Sequence, residues 1–156
     1  HFREHLLQEF DRASRYKLPL SVLIFDVDDF KKLNDTFGHL VGDTVLKEIA
    51  DRTMKCVRKS DLIARYGGEE FVVIMPQTGR EGAEVEGERI RDIIAATPFQ
   101  DTPPEYQVTI SGGVSVLEYA TMQNAEDLLR TADQALYEAK RSGKNRVVLA
   151  PEKGTP

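Results

Sequence analysis

The stretch that decides the fold is Ser21-Val-Leu-Ile-Phe25, followed directly by Asp26-Val-Asp-Asp29. The first five residues form a nearly continuous apolar run rich in branched side chains, which is typical of a strand buried on both faces. The acidic residues come where this strand ends. The sequence therefore predicts a core strand that delivers several carboxylates to one edge of a sheet.

Helical and strand-like segments alternate around this strand. Apolar residues at helical spacing predict helices over 2–16, 30–37, 41–57, 80–96 and 125–141, the last of them stopped by Gly143. Strand-like runs occupy 61–66, 70–75, 107–116 and 146–149. This alternation favours a mixed sheet covered by helices.

Two glycine pairs interrupt the strand pattern. Gly67-Gly68 lies between two strand-like runs and predicts a tight hairpin turn with positive φ angles. Such a turn needs no function, although glycines also let the phosphates of a nucleotide approach the backbone. Gly112-Gly113 predicts a bulge or a close backbone approach inside the run 107–116.

Composition narrows the class of protein. A chain of 156 residues with 40% hydrophobic content fits one domain. The 26 acidic and 21 basic residues give a net charge of -5, and no basic stripe suggests a nucleic-acid polymer as partner. Cys56 is the only cysteine, which excludes an intramolecular disulfide or a thiolate zinc cluster and fits a cytosolic setting.

Acidic side chains gather at the end of the core strand and just past the glycine pair. They are Asp26, Asp28, Asp29, Glu69 and Glu70. Pairing of the two strands would bring them together, and clustered oxygen ligands suit Mg²⁺ or Mn²⁺, which hold phosphate oxygens. Alternatively, residues 26–29 form only a solvated connection in which Asp28 or Asp29 caps the next helix. The spacing leaves both interpretations open.

Basic residues cluster where the last helix ends: Lys140, Arg141, Lys144 and Arg146. Cations are favoured at a helix C-terminus in any protein because of the helix dipole. Phosphate binding is therefore one option for this cluster and not a requirement.

Three long segments together resemble the GGDEF family of diguanylate cyclases. They are Phe25-Asp-Val-Asp-Asp-Phe-Lys-Lys-Leu-Asn-Asp-Thr-Phe-Gly-His-Leu-Val-Gly-Asp43, Ala64-Arg-Tyr-Gly-Gly-Glu-Glu-Phe71 and Ala132-Asp-Gln-Ala-Leu-Tyr-Glu-Ala-Lys140. Three separated motifs in the family's order are far more specific than one glycine pattern. The resemblance implies an α+β fold, with a central mixed, mainly antiparallel sheet of about five strands flanked by helices, as in palm-like nucleotide cyclases.

The resemblance also implies a reaction, in which two GTP molecules condense into cyclic di-GMP and release two pyrophosphates. The 3′-hydroxyl of one GTP would attack the α-phosphate of the other, with metal assistance, at the interface of a homodimer. Mg²⁺ or Mn²⁺ would be held by Asp26, the carbonyl of Val27 and Glu69, which stands where many members have Asp. Glu70 would be the further catalytic acid.

Substrate-binding positions follow from the same resemblance. It implies that Asn34 and Asp43 recognise guanine, whose edge needs both donors and acceptors. Read alone, these residues would be a helix C-cap and a first-turn acid. The triphosphate would meet Lys140, Lys144, the amides of Phe30 and Lys31, and the backbone at Gly67 and Gly68. Lys144 replaces an arginine that is common in the family, which keeps the charge and loses the bidentate fork.

A second motif, Arg58-Lys-Ser-Asp61, precedes the glycine pair and matches the family's RxxD site for inhibitory product. An arginine fork can bind guanine and phosphate, and an aspartate can accept from guanine N–H groups. Arg89 occupies a position that adds to this site in relatives. RxxD strings also arise by chance on protein surfaces, which is the alternative interpretation.

We expect the GGDEF domain to occupy residues 1–150, without the segment that usually precedes it, and residues 151–156 to form a tail. The resemblance implies a cytoplasmic catalytic domain that depends on an upstream regulatory domain. The full-length protein could be anchored in a membrane. Three other functions compete with a cyclase. They are a catalytically silent receptor for GTP or cyclic di-GMP, a structural or dimerisation domain, and another nucleotidyl-transfer enzyme of the same fold.

Overall fold

A computed structural model describes residues 1–153, which build one five-stranded sheet. The strands are β1 (Leu20–Val27), β2 (Leu62–Arg65), β3 (Glu70–Pro76), β4 (Ile110–Val116) and β5 (Arg146–Leu149). Their order is β2-β3-β1-β4-β5, and every neighbouring pair is antiparallel except β4 and β5. The predicted mixed, mainly antiparallel sheet is confirmed, with β1 at its centre.

Helices cover both faces of this sheet. They are α1 (Phe2–Tyr16), α2 (Phe30–Phe37), α3 (His39–Cys56), α4 (Arg80–Ala96) and α5 (Ala125–Arg141). The predicted helices agree with these bounds, except that α3 begins at His39 and ends at Cys56 instead of covering 41–57. Within residues 1–153, every helix is too short or too polar to cross a membrane.

The alternating side chains of β1 separate two hydrophobic cores. Leu23 and Phe25 pack with residues of α3 and α4 on one face, whereas Val22 and Ile24 pack with residues of α1 and α5 on the other. All four side chains are fully buried. A strand points successive side chains to opposite faces, so an unbroken apolar run requires that both faces be covered.

The connection between β2 and β3 differs from the predicted turn. Pairing extends to Arg65 and Phe71, and the amides of Tyr66 and Gly67 both donate to the carbonyl of Glu70, at 2.8 and 3.3 Å. Neither glycine of the pair has a positive φ angle. The predicted hairpin is confirmed, but a loop over residues 66–70 closes it without the positive φ angles that the two glycines permit.

Gly113 lies where α5 packs directly on β4. A Cβ at this position would be 2.2 Å from the carbonyl oxygen of Ala132 and 2.3 Å from the amide nitrogen of Leu136. The register between β1 and β4 runs without interruption, so the close approach predicted here is present and the alternative bulge is not. β4 begins at Ile110, later than predicted.

α5 ends as its sequence predicts. Gly143 has a φ angle of 129°, and the amide of Lys144 donates to the carbonyl of Ala139 at 3.0 Å, which closes the last turn. The chain then enters β5, which pairs in parallel with β4.

We predict that Gly113→Ala lowers the free energy of unfolding by about 1–3 kcal/mol, because the added methyl group pushes α5 away from the sheet. Urea unfolding followed by circular dichroism measures this change. Gly68→Ala is the matched control, since a Cβ there meets nothing within 4 Å. Equal stability of the two variants would show that the close approach is not a constraint.

Candidate active site

Three elements meet at the end of β1. Asp26 lies opposite Glu70 in the register between β1 and β3. One residue further, the amide of Val27 donates to the carbonyl of Glu69 at 3.3 Å, so the hairpin loop is tied to the strand end. The strand pairing thus brings together the two chain segments whose carboxylates were predicted to share a metal site.

Lys140 on α5 extends toward the carboxylates at the end of β1. Its ammonium forms an ion pair with Oδ1 of Asp26 and lies 3.6 Å from Oδ1 of Asp28. The side chain of Asp26 is only 13% exposed, and that of Lys140 is 30% exposed. Because α5 is held against β4 at Gly113, the helix aims this cation at the end of β1.

The carboxyl groups of this site are harder to ionise than ordinary ones. Burial raises the pKa of Asp26, against the opposing effect of Lys140. Burial, and next the charge of Asp26, raise the pKa of Glu69 and of Glu70. Asp133 on α5 adds to the effect on Glu70. Closely spaced, partly buried carboxylates of this kind favour a cation among them.

A metal ion fits this arrangement only with ligands besides side chains. Among residues 1–153, no group of three or more His, Cys, Asp or Glu side chains is arranged to hold an ion. The predicted set contains two carboxylates, Asp26 and Glu69, and one backbone carbonyl, that of Val27. Phosphate oxygens of a nucleotide are the ligands that would complete such a set.

Asp28 has a role that the sequence did not reveal. Its carboxylate is buried and accepts from Oγ1 of Thr109 at 2.7 Å, Oγ of Ser111 at 2.6 Å and the amide of Asn145 at 3.0 Å. The alternative of a solvated connection is therefore wrong for Asp28, although Asp29 does occupy the predicted N-cap position of α2. Asp28 instead fastens the end of β1 to the start of β4 and to the loop after α5.

The loop after α5 carries Lys144 toward the same place. Lys144 and Asn145 have φ angles of 64° and 46°, a left-handed turn that the hydrogen bond from Asn145 to Asp28 holds. Nζ of Lys144 lies 2.8 Å from Oδ1 of Asp29, which raises the pKa of Lys144 and lowers that of Asp29. Asp29 occupies the N-cap position of α2 but makes no capping bond.

The predicted guanine-binding residues lie at the corner between α2 and α3. Oδ1 of Asn34 is buried without a hydrogen-bond partner, and a Cβ on Gly42 would come within 1.9 Å of it. The exposed Asp43 follows Gly42 directly. Asn34 lies inside α2, whose C-cap is Gly38, and Asp43 lies beyond the first turn of α3. The interpretations as C-cap and first-turn acid are therefore wrong.

The predicted phosphate-binding backbone is positioned by local structure. α2 begins at Phe30, so the amides of Phe30 and Lys31 belong to the helix N-terminus, where N–H groups lack intrahelical acceptors. Gly68 has open space where a Cβ would be, and Gly67 would meet only Glu70, at 3.6 Å. Both glycines therefore leave the approach to the loop open.

The predicted product-binding residues lie at the opposite end of β3. Arg58 contacts Asp61 through its backbone amide at 3.0 Å and its guanidinium at 3.3 Å. The guanidinium also donates to the carbonyl of Pro76 at 2.9 Å and to the hydroxyl of Thr78. Since β3 runs from Glu70 to Pro76, about 20 Å separates the two sites. Arg89 on α4 is exposed and close enough to act on Glu86, beside Asp61.

Another residue to which the sequence assigned no role lies in the loop between β2 and β3. Tyr66 packs edge-on against Phe2 of α1, with ring centroids 5.3 Å apart, and Arg3 lies over both rings. The only sign of this contact in the sequence was that Tyr66 directly precedes Gly67. The first turn of α1 therefore contacts the loop that carries Glu69 and Glu70.

The sheet order and the acidic strand end define a palm-like nucleotide cyclase fold, and comparisons with known proteins agree. The family model described as diguanylate cyclase, GGDEF domain, matches residues 1–146. Diguanylate cyclase DgcP of Pseudomonas aeruginosa is 44% identical over 147 residues, which are 94% of this chain and 22% of that protein. The chain belongs to the GGDEF family.

Solved structures support the same assignment. The active GGEEF domain of a diguanylate cyclase from Vibrio cholerae has a TM-score of 0.90 at 35% identity, covering 96% of this chain and 94% of that chain. The GGDEF domain of DgcB from Caulobacter crescentus, in complex with c-di-GMP, has a TM-score of 0.88 at 30% identity, covering 96% and 88%. The chain spans 22% to 39% of the length of the first curated relatives.

We predict that Asp28→Asn lowers the free energy of unfolding by about 2 kcal/mol, because an amide cannot accept from all three donors that meet the carboxylate. Urea unfolding at neutral pH measures the loss. Asp29→Asn is the matched control, since its ion pair with Lys144 is exposed and solvent screening leaves it little effect on stability. Equal losses for the two variants would contradict the role assigned to Asp28.

Proposed function

We propose that this domain is a diguanylate cyclase, which condenses two GTP molecules into cyclic di-GMP and releases two pyrophosphates. The observation that carries the proposal is the group of Asp26, Glu69 and Glu70, which meets Lys140 at the end of β1. Membership of the GGDEF family supports it, since the similar DgcP is a diguanylate cyclase.

Mg²⁺ or Mn²⁺ would be held by Asp26, the carbonyl of Val27 and Glu69. When bound, the metal offsets the charge on the transferring phosphoryl group and orients the attacking 3′-hydroxyl. The carboxylates fit such an ion because burial and mutual repulsion disfavour their ionised forms until a cation joins them.

Glu70 accepts the proton of the attacking 3′-hydroxyl. Its raised pKa brings this carboxylate closer to the range in which a general base works well near neutral pH. Lys140 and Lys144 hold the triphosphate by charge, and this requires them to leave their present partners, Asp26 and Asp29. The loop backbone at Gly67 and Gly68 lies alongside.

The base and the inner phosphates are bound by α2 and the start of α3. The unpartnered Oδ1 of Asn34 and the exposed carboxylate of Asp43 accept from the N–H groups of guanine. The amides of Phe30 and Lys31 donate to phosphate oxygens at the positive end of the α2 dipole.

Two copies of the domain are needed, because each site holds one GTP and two sites must face each other to form both phosphodiester bonds.

The product binds at Arg58, Asp61 and Arg89, and its binding there inhibits the enzyme. The complex of the DgcB GGDEF domain with c-di-GMP supports product binding by domains of this kind. In the full-length protein, an upstream regulatory domain brings two catalytic domains together in the cytoplasm, whether or not the protein is anchored in a membrane.

We predict that the domain converts GTP into cyclic di-GMP with Mg²⁺ or Mn²⁺, and that Glu70→Gln lowers the rate by about 10²-fold or more, since it removes the proton acceptor. Chromatographic separation of the nucleotides measures the product. Glu81→Gln, at an exposed position of α4, is the matched control. Unchanged GTP in the wild-type sample would instead favour a nucleotide receptor.

We also predict that the rate per protomer falls in proportion to protein concentration when the domain is diluted below its dimerisation constant. Fewer protomers then meet a partner that carries the second GTP. A dilution series with saturating GTP and metal checks this. A rate per protomer that stays constant throughout would contradict catalysis between two copies.

A further inference from the structure

Glu86 is a buried acid on the apolar stripe of α4. It lies between Ala83 and Ile90, and with Gly87 and Ile94 these residues form the buried face of the helix. The residue is 6% exposed, and its Oε2 atom is buried without a hydrogen-bond partner. Glutamates are almost never buried in this way unless a partner compensates for their charge.

The groups around Glu86 belong to the proposed product site. The carboxyl of Glu86 is within hydrogen-bonding reach of Asp61, whose own side chain is fully buried. The charged and titratable groups that act on Glu86 are Asp61 and Arg58 of the loop after α3, Arg89 of α4 itself, and Cys56 of α3. Glu86 therefore joins α4 to the loop that carries the RxxD motif.

Two adjacent buried carboxyl groups cannot both ionise cheaply. Burial first, and then the charge of Asp61 and the hydrogen bond to it, raise the pKa of Glu86 to about 7, against the opposing effects of Arg58 and Arg89. The group thus carries its proton in mildly acidic solution and loses it in mildly basic solution.

We propose that Glu86 is a positioning residue of the product site, which holds Asp61 through a carboxyl–carboxylate hydrogen bond and controls the charge of the site that receives the product. The inference rests on the proposed binding of cyclic di-GMP at Arg58 and Asp61. With its proton, Glu86 donates to Asp61 and fixes the acceptor that reads guanine. Without its proton, it repels Asp61 and weakens the field of the two arginines.

The charge balance gives the direction of the effect. The product is a dianion with two phosphodiester groups. With Glu86 protonated, the charges of Arg58, Arg89 and Asp61 sum to +1 at the site. With Glu86 ionised, the charges of the four side chains sum to zero. Product binding is therefore tighter in mildly acidic than in mildly basic solution, and bound product favours the protonated form of Glu86.

Calorimetric titration of the domain with cyclic di-GMP between about pH 6 and about pH 8 tests this, because the pKa of Glu86 is raised to about 7. We expect wild-type affinity to fall about fivefold over this range, which is most of the tenfold limit that applies when bound product raises the pKa of Glu86 by one unit. Glu86→Gln keeps the shape and a donor for Asp61 but has no proton to lose. Its affinity should stay constant and should match the wild type at the acidic end.

Matched variants separate this inference from the product site itself. Glu84→Gln, which removes an exposed carboxylate from the same helix, should keep the wild-type dependence on pH. Arg58→Ala should lose binding at every pH. A wild-type affinity that does not change with pH, or a Glu86→Gln profile as steep as that of the wild type, overturns the proposal. Wild-type protein that binds no product at any pH overturns the product site and the charge argument together.

Thermal unfolding tests the carboxyl pair without product. Glu86 has an ordinary pKa of 4.5 when unfolded and a pKa of about 7 when folded. Its contribution to stability is therefore complete below about pH 4.5 and is lost as the pH rises through about 7. Glu86→Gln should remove this decline. The melting temperature of the variant should therefore rise relative to that of the wild type as the pH increases. Parallel melting curves for the two proteins would show that Glu86 and Asp61 do not share a proton.

Discussion

The carboxylate of Asp28 is the constraint on which the site depends. It joins three parts of the chain that are far apart in sequence: the end of β1, the start of β4 and the loop after α5. A buried carboxylate is stable only when its oxygens accept enough hydrogen bonds, and this one meets two hydroxyls and one amide. Two residues with proposed chemical roles take their positions from this junction: Asp26, two residues before it, and Lys144, in the loop after α5.

Close packing of α5 on β4 at Gly113 positions Lys140, which the hydrogen bonds of Asp28 do not hold. α5 can aim Lys140 at the end of β1 only because Gly113 lets the helix backbone rest on β4. Two core strands, β1 and β4, thus fix the direction from which the cation arrives. The hairpin loop is held separately, by the bond from Val27 to Glu69 on one side and by the contact between Tyr66 and Phe2 on the other.

Periodicity predicted the elements, because an apolar run without alternation needs a strand covered on both faces. It did not predict the turn at Gly67, since glycine permits a positive φ angle without requiring one. The role of Asp28 could not be predicted, because its partners lie more than 80 residues away and produce no local sequence pattern. Glu86 could have been found, because an acid on the apolar stripe of α4 conflicts with its surroundings. The roles of the site residues came from the family resemblance.

β3 has Glu70 at one end and Pro76, which accepts from Arg58, at the other. Electrostatic effects between exposed groups decay over about 8 Å at physiological ionic strength, which is much less than the length of this strand. A ligand at Arg58 therefore cannot act on the acids near Glu70 through its charge. Product bound at the proposed site would therefore have to act on the active site through the arrangement of chain segments or of two copies, and not through its charge.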